Sequence, residues 1–101
     1  MTAVITCDPR GAMLARPGET LDRLASGATW SEGPVWMHED DSVLWSDIPA
    51  NRMLRWHARD GMSLWRDQVD FVNGHTREAM AHCCTARTAS ARSCARASPQ
   101  V

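Results

Sequence analysis

Lysine and tyrosine are missing from this chain, and all 11 of its basic residues are arginine. That bias points to a GC-rich coding sequence. Twelve acidic groups leave a net charge of −1, so the strongly basic surface that nucleic-acid binding draws on is excluded. No stretch is long and apolar enough to cross a bilayer as a helix. Met1 to Arg10 has neither a charged start nor an apolar run of about 7–15 residues, so no secretory signal is expected and a cytoplasmic location is the default reading. Cysteine is sparse, at Cys7, Cys83, Cys84 and Cys94. Without a secretory context these read as inert thiols rather than a disulfide framework. The adjacent pair also fits one tetrahedral zinc ion poorly. The length of 101 residues allows one domain at most.

What is present is concentrated between Trp30 and Trp65, which hold every tryptophan. Four short segments recur there: Trp30–Trp36, Ser42–Ile48, Arg52–Ala58 and Met62–Asp67. Between them sit His38-Glu-Asp-Asp41, Pro49-Ala-Asn51 and Arg59-Asp-Gly61, which are turn chemistry. Strands at roughly 8–12 residue spacing signal an antiparallel meander, so the four segments are expected to form one four-stranded sheet. In Ser42–Ile48, Val43 and Trp45 share one face while Leu44, Ser46 and Ile48 share the other, which predicts a strand packed on both sides. In Arg52–Ala58 the Arg55 and His57 face is expected to be the wetter one. Residues 1–19 read as an irregular lead-in, and Thr20–Ala25 as an isolated strand.

Candidate site residues lie at strand mouths. Glu32 precedes Gly33-Pro34; the proline cannot donate to a ladder, and the glycine lets the backbone pass close to a ligand or neighbour. Glutamate is mostly exposed, so the residues alone favour a surface turn carboxylate over a ligand-binding one. Asp47 reads as structural, bonding turn amides. His57 reads as a solvated strand histidine rather than a base. Asn73-Gly74 is either a tight hairpin turn or an amide presented to a ligand where the next strand begins.

Taken in order, Glu32-Gly-Pro-Val-Trp36, Trp45-Ser-Asp-Ile-Pro49, Asn51-Arg52, Arg55-Trp56 and Asn73-Gly-His-Thr76 resemble the gluconolactonase / senescence marker protein / luciferin-regenerating enzyme family. The resemblance covers Leu21 to Thr76. It implies an all-β chain holding about one four-stranded antiparallel blade of a six-bladed β-propeller. It also implies a hydrolase of sugar lactones that uses one divalent metal, calcium foremost and zinc second. Glu32 would match the family's first metal ligand and Asn73 a substrate-contacting amide. Two positions before Asn73, where many members carry arginine, this chain has Phe71. The family's other ligands, an asparagine and an aspartate that doubles as base, belong to later blades. A hard cation of this kind wants about 6–8 oxygens, so Glu32 alone should not hold one usefully.

Beyond the 20–76 blade region, residues 77–101 change character to Ala, Arg, Ser, Thr and Cys. The apolar residues there follow no strand period, so a non-β tail is expected. A shifted reading frame is one hypothesis for such a composition: the uracil opening each cysteine codon, moved to the middle position, would specify an apolar residue. One blade cannot bury its apolar faces alone. The expectation is therefore a chain inactive by itself, with self-association through exposed sheet edges. A non-enzymatic interaction module using such an edge is the alternative.

Overall fold

The computed structural model describes residues 3–80 and 82–86, and the backbone of 93–96. Strand β1 (Ser31–Met37), β2 (Ser42–Asp47), β3 (Arg52–His57) and β4 (Gly61–Asp67) form one antiparallel sheet in sequence order. Each lies within one residue of a tryptophan-bearing segment. The turns close where the chain carries residues that tolerate a left-handed backbone, Asp41 and Asn51, each at φ 53°. Asn51 also reaches outward: its side-chain carbonyl accepts from the Phe71 amide at 2.8 Å, tying the β2–β3 turn to the segment that follows β4.

A second antiparallel sheet follows, made of β5 (Asn73–Arg77), β6 (His82–Ala86) and β7 (Ser93–Arg96). The stretch expected to be a non-β tail thus contains two strands. The reason is tertiary. Once β5 lies on the first sheet it offers an unpaired edge, and β6 pairs with it through a turn closed by the Glu78 amide bonding the His82 carbonyl at 2.9 Å. Cys83 behaves there as a small hydrophobe, fully buried, so strand pairing needs no strand-like period in the sequence. Cys84 lies across from Cys94 in the β6–β7 register and is disulfide-bonded, which corrects the expectation of free thiols; Cys7 and Cys83 are free.

The core lies between the two sheets. Met37, Leu44, Met53 and Trp65 of the first meet Val72 and Cys83, with Val35 and Val69 packed against them. Strand β2 buries Ser42, Leu44 and Ser46 toward the second sheet, while Val43 and Trp45 on its other face are half-buried, so the expected packing on both sides is complete on one face. Strand β3 departs from expectation. Arg55 pairs with Leu44 and shares the core side with Met53; it is buried and ion-paired to Asp40 at 3.0 Å. The polar side of β3 is therefore the inner side, because the Asp40 carboxylate in the first turn neutralises the guanidinium. The opposite face of the first sheet is apolar in two rows: Trp36, Val43, Trp56 and Met62, then Trp45, Leu54 and Leu64. Trp36 is 51% exposed and Leu64 44%.

The lead-in holds a short 3₁₀ helix at Pro9–Met13, capped by the Asp8 carboxylate on the Arg10 amide. Thr20–Ala25 forms no strand; Thr20 makes a single bridge to Ala3.

Candidate functional site

Glu32 and Asn73 both sit at strand openings, on different sheets. Glu32 is the second residue of β1 and half-buried; Asn73 is the first of β5 and exposed. What joins them is Gly33. Its φ is +59°, and the β1–β2 register slips between Glu32 and Val35. A glycine in the left-handed region is the usual means of opening such a bulge. A Cβ placed on Gly33 would stand 2.7 Å from Asn73 Oδ1, 2.8 Å from the Gly74 nitrogen and 3.3 Å from His75 Cδ2. The residue after Glu32 thus touches Asn73 and its two successors directly. The β5 register slips at the same place, between Asn73 and His75. Asn73-Gly74 is therefore the start of a strand, not a hairpin turn.

Each candidate side chain already has one partner. Glu32 Oε1 accepts from the Trp30 indole N–H at 3.0 Å. Asn73 Oδ1 accepts from the Gly74 amide at 2.8 Å. Behind them Asp47 anchors the chain entering β1. Its Oδ1 accepts from the Thr29 and Trp30 amides, each at 3.0 Å, and its Oδ2 pairs with Arg52 at 3.0 Å. Complete burial by itself would raise the Asp47 pKa; the Trp30 and Thr29 amides and the Arg52 guanidinium outweigh it and hold the carboxyl below its ordinary range. Asp47 is structural, as its position before Ile48-Pro49 suggested. His57 accepts from the Arg59 amide through Nδ1 at 3.1 Å, within its own turn.

Two contributors escaped the sequence reading. The Ser46 hydroxyl donates to the Val72 carbonyl at 2.7 Å and lies 2.7 Å from His75 Nε2. Ser46 stands opposite Glu32 in the β1–β2 register. The available signal was a lone hydroxyl between Leu44 and Ile48 on a face expected to be packed. His75 has its Nδ1 buried with no hydrogen-bond partner, and burial lowers its pKa.

Carboxylate and amide oxygens are the donors a hard divalent cation prefers, but such an ion takes about 6–8 of them. Among the described residues no group of three or more His, Cys, Asp or Glu is placed to hold a metal. Glu32 and Asn73 have the right donor type and the wrong number, so these residues do not by themselves fit the ion.

Comparison with known proteins converges on one family. The model for the SMP-30/Gluconolactonase/LRE-like region matches residues 30–93. A gluconolactonase of Zymomonas mobilis is 42% identical over 45 residues, covering 45% of this chain and 13% of that protein. A solved gluconolactonase of Xanthomonas campestris aligns with a TM-score of 0.64 at 30% identity, over 69% of this chain and 24% of its own. A second solved structure, proposed to be a gluconolactonase, aligns at 0.60 with 32% identity, over 65% of this chain and 23% of its own. The chain thus spans a minor part of each relative's length. The family match opens one residue before β1 and ends on the first residue of β7, so the shared pattern runs through both sheets, and the chain belongs to the SMP-30/gluconolactonase/LRE-like family.

Proposed function

We propose that this chain carries the opening part of a metal-dependent sugar-lactone hydrolase site and is inactive by itself. In this reading the first sheet is one blade of a six-bladed propeller, Glu32 is a ligand of a divalent ion, and Asn73 contacts the substrate. One observation carries it: Gly33 packs on Asn73 and Gly74, so a carboxylate from one sheet and an amide from the next open at the same junction. Lactone hydrolysis needs groups that bind a polarised carbonyl and groups that take a proton from water. Asn73 has an amide N–H for the first need, and Glu32, an acceptor only, would serve it through a bound cation. Asp47 is not free to take that proton, since it is buried and engaged with the Thr29 and Trp30 amides and Arg52.

The test is hydrolysis of gluconolactone by the purified 101-residue chain with calcium or zinc, beside Glu32→Gln. The reading expects no turnover above buffer for either protein. Metal-dependent turnover that Glu32→Gln abolishes would overturn the inactivity and keep the ligand. Turnover indifferent to Glu32→Gln would overturn both.

A second reading is favoured by the apolar face bearing Trp36 and Leu64. In it the chain is an interaction module that associates through its sheet, using an edge strand or this face. Sedimentation across a range of concentrations decides it. Association that neither calcium nor lactone alters supports the module, and a monomer throughout excludes self-association as its mode.

A further inference from the structure

We propose that His75 is a positioning residue: as the neutral Nε2–H tautomer it latches β5 onto β2 through Ser46, and so carries Asn73 to the opening of β1. Hydrogen counting fixes the tautomer. A serine hydroxyl has one hydrogen and two lone pairs. Ser46 spends that hydrogen on the Val72 carbonyl at 2.7 Å. Its 2.7 Å contact with His75 Nε2 must then be one in which the hydroxyl accepts, which places the imidazole proton on Nε2. Nδ1 is buried without a partner, so a proton there would be a buried donor with nothing to receive it. The same objection removes the imidazolium. Neutral Nε2–H is the one state in which every hydrogen has an acceptor.

The placement gives the bond its consequence. Ser46 is fully buried, opposite Glu32 on one side and Met53 on the other. Val72 and His75 bracket Asn73-Gly74, so a single hydroxyl holds both ends of the segment whose middle touches Gly33. Backbone pairing of Asn73 and His75 holds β5 to β6 rather than to β2, and the register slip between them leaves Gly74 without a paired residue. Asn73 bears on a ligand only through the reading given under Proposed function. The experiments below use neither lactone nor metal, so their failure is separate from the failure of that reading.

Long-range ¹⁵N–¹H correlation of the His75 ring in the 101-residue chain at neutral pH should show Nε2 protonated and Nδ1 bare. A protonated Nδ1 overturns the proposal. Hydrogen exchange then tests the latch. In Ser46→Ala and His75→Leu, amides of Asn73–Arg77 should exchange about five- to tenfold faster, the change that losing one net hydrogen bond produces. Amides of the β2–β3 ladder should hold their rates. His75→Gln, whose amide N–H reaches the same position, should restore slow exchange. Equal exchange in His75→Leu and wild type, or His75→Gln behaving like His75→Leu, overturns the proposal. Should His75→Leu unfold, the ring tautomer and His75→Gln still decide.

Discussion

Replacing Gly33 by alanine tests whether the two sheets truly meet at a glycine. The added Cβ faces two separate penalties. The left-handed φ of +59° is strained for any residue with a Cβ, at about 1–2 kcal/mol. The methyl would also stand 2.8 Å from the Gly74 backbone nitrogen, which cannot swing aside as a side chain can. Forcing a packed contact apart costs about 1–3 kcal/mol, so the total is about 2–5 kcal/mol. Small domains have roughly 0.05–0.15 kcal/mol of stability per residue, so this is a large part of what the chain has. Gly61→Ala is the control: its φ is +72°, and nothing lies within 4 Å of the new methyl. It should cost only the backbone strain, about 1–2 kcal/mol. Thermal or urea unfolding of the two variants reads the difference, each kcal/mol moving Tm by about 4–8 °C in a domain of this size. Equal destabilisation would refute the close approach, since strain alone would then account for both.

Further expectations follow from other parts of the fold. Asp47→Asn keeps an acceptor for the amides but loses the charge facing Arg52, and should cost about 3 kcal/mol at neutral pH, as broken buried pairs do. Because the folded Asp47 pKa lies below its ordinary value, its stabilisation is present above about pH 4 and is lost as pH falls through the lower folded value. The acid limb of the stability–pH curve should therefore flatten in Asp47→Asn, and an unchanged limb would contradict the assignment. Burial raises the Cys83 thiol pKa to about 11, so alkylation at pH 8 should modify exposed Cys7 and spare Cys83 until the chain unfolds, as peptide mass mapping can show. Trp36→Ser removes the largest exposed ring of the apolar face. If that face drives association, the midpoint concentration by sedimentation should rise about tenfold or more, from the roughly 1.5–3 kcal/mol a large apolar side chain gains on burial.

The first sheet was legible because its strands announce themselves locally. Trp36, Trp45, Trp56 and Trp65 each mark a segment, and Asp41, Asn51 and Gly61 mark the reversals. Gly33 was legible as a close approach, though only the fold says that the neighbour is Asn73-Gly74. The second sheet was hidden because β6 has no alternating pattern. Its Cys83 and Cys84 become strand residues through pairing with β5, which no local rule reports. The orientation of β3 is hidden for a related reason: Arg55 looks like a surface residue until Asp40, 15 positions away, is brought beside it. The Ser46–His75 contact spans 29 positions, and hydrogen-bond partners that far apart leave no periodic trace. Glu32 and Asn73 were marked out by resemblance to the family more than by their own surroundings.

The proposed site makes Glu32 a cation ligand that opens at the same junction as the substrate-contacting Asn73. Paramagnetic broadening by millimolar manganese, a stand-in for a hard divalent ion, reads this directly in the amide spectrum of the 101-residue chain. Residues 32–34 and 73–75 should broaden together, weakly and without stoichiometry, and the effect should be lost in Glu32→Gln. Broadening centred instead on the Asp40 and Asp60 turns, with residues 32–34 and 73–75 untouched, would contradict it.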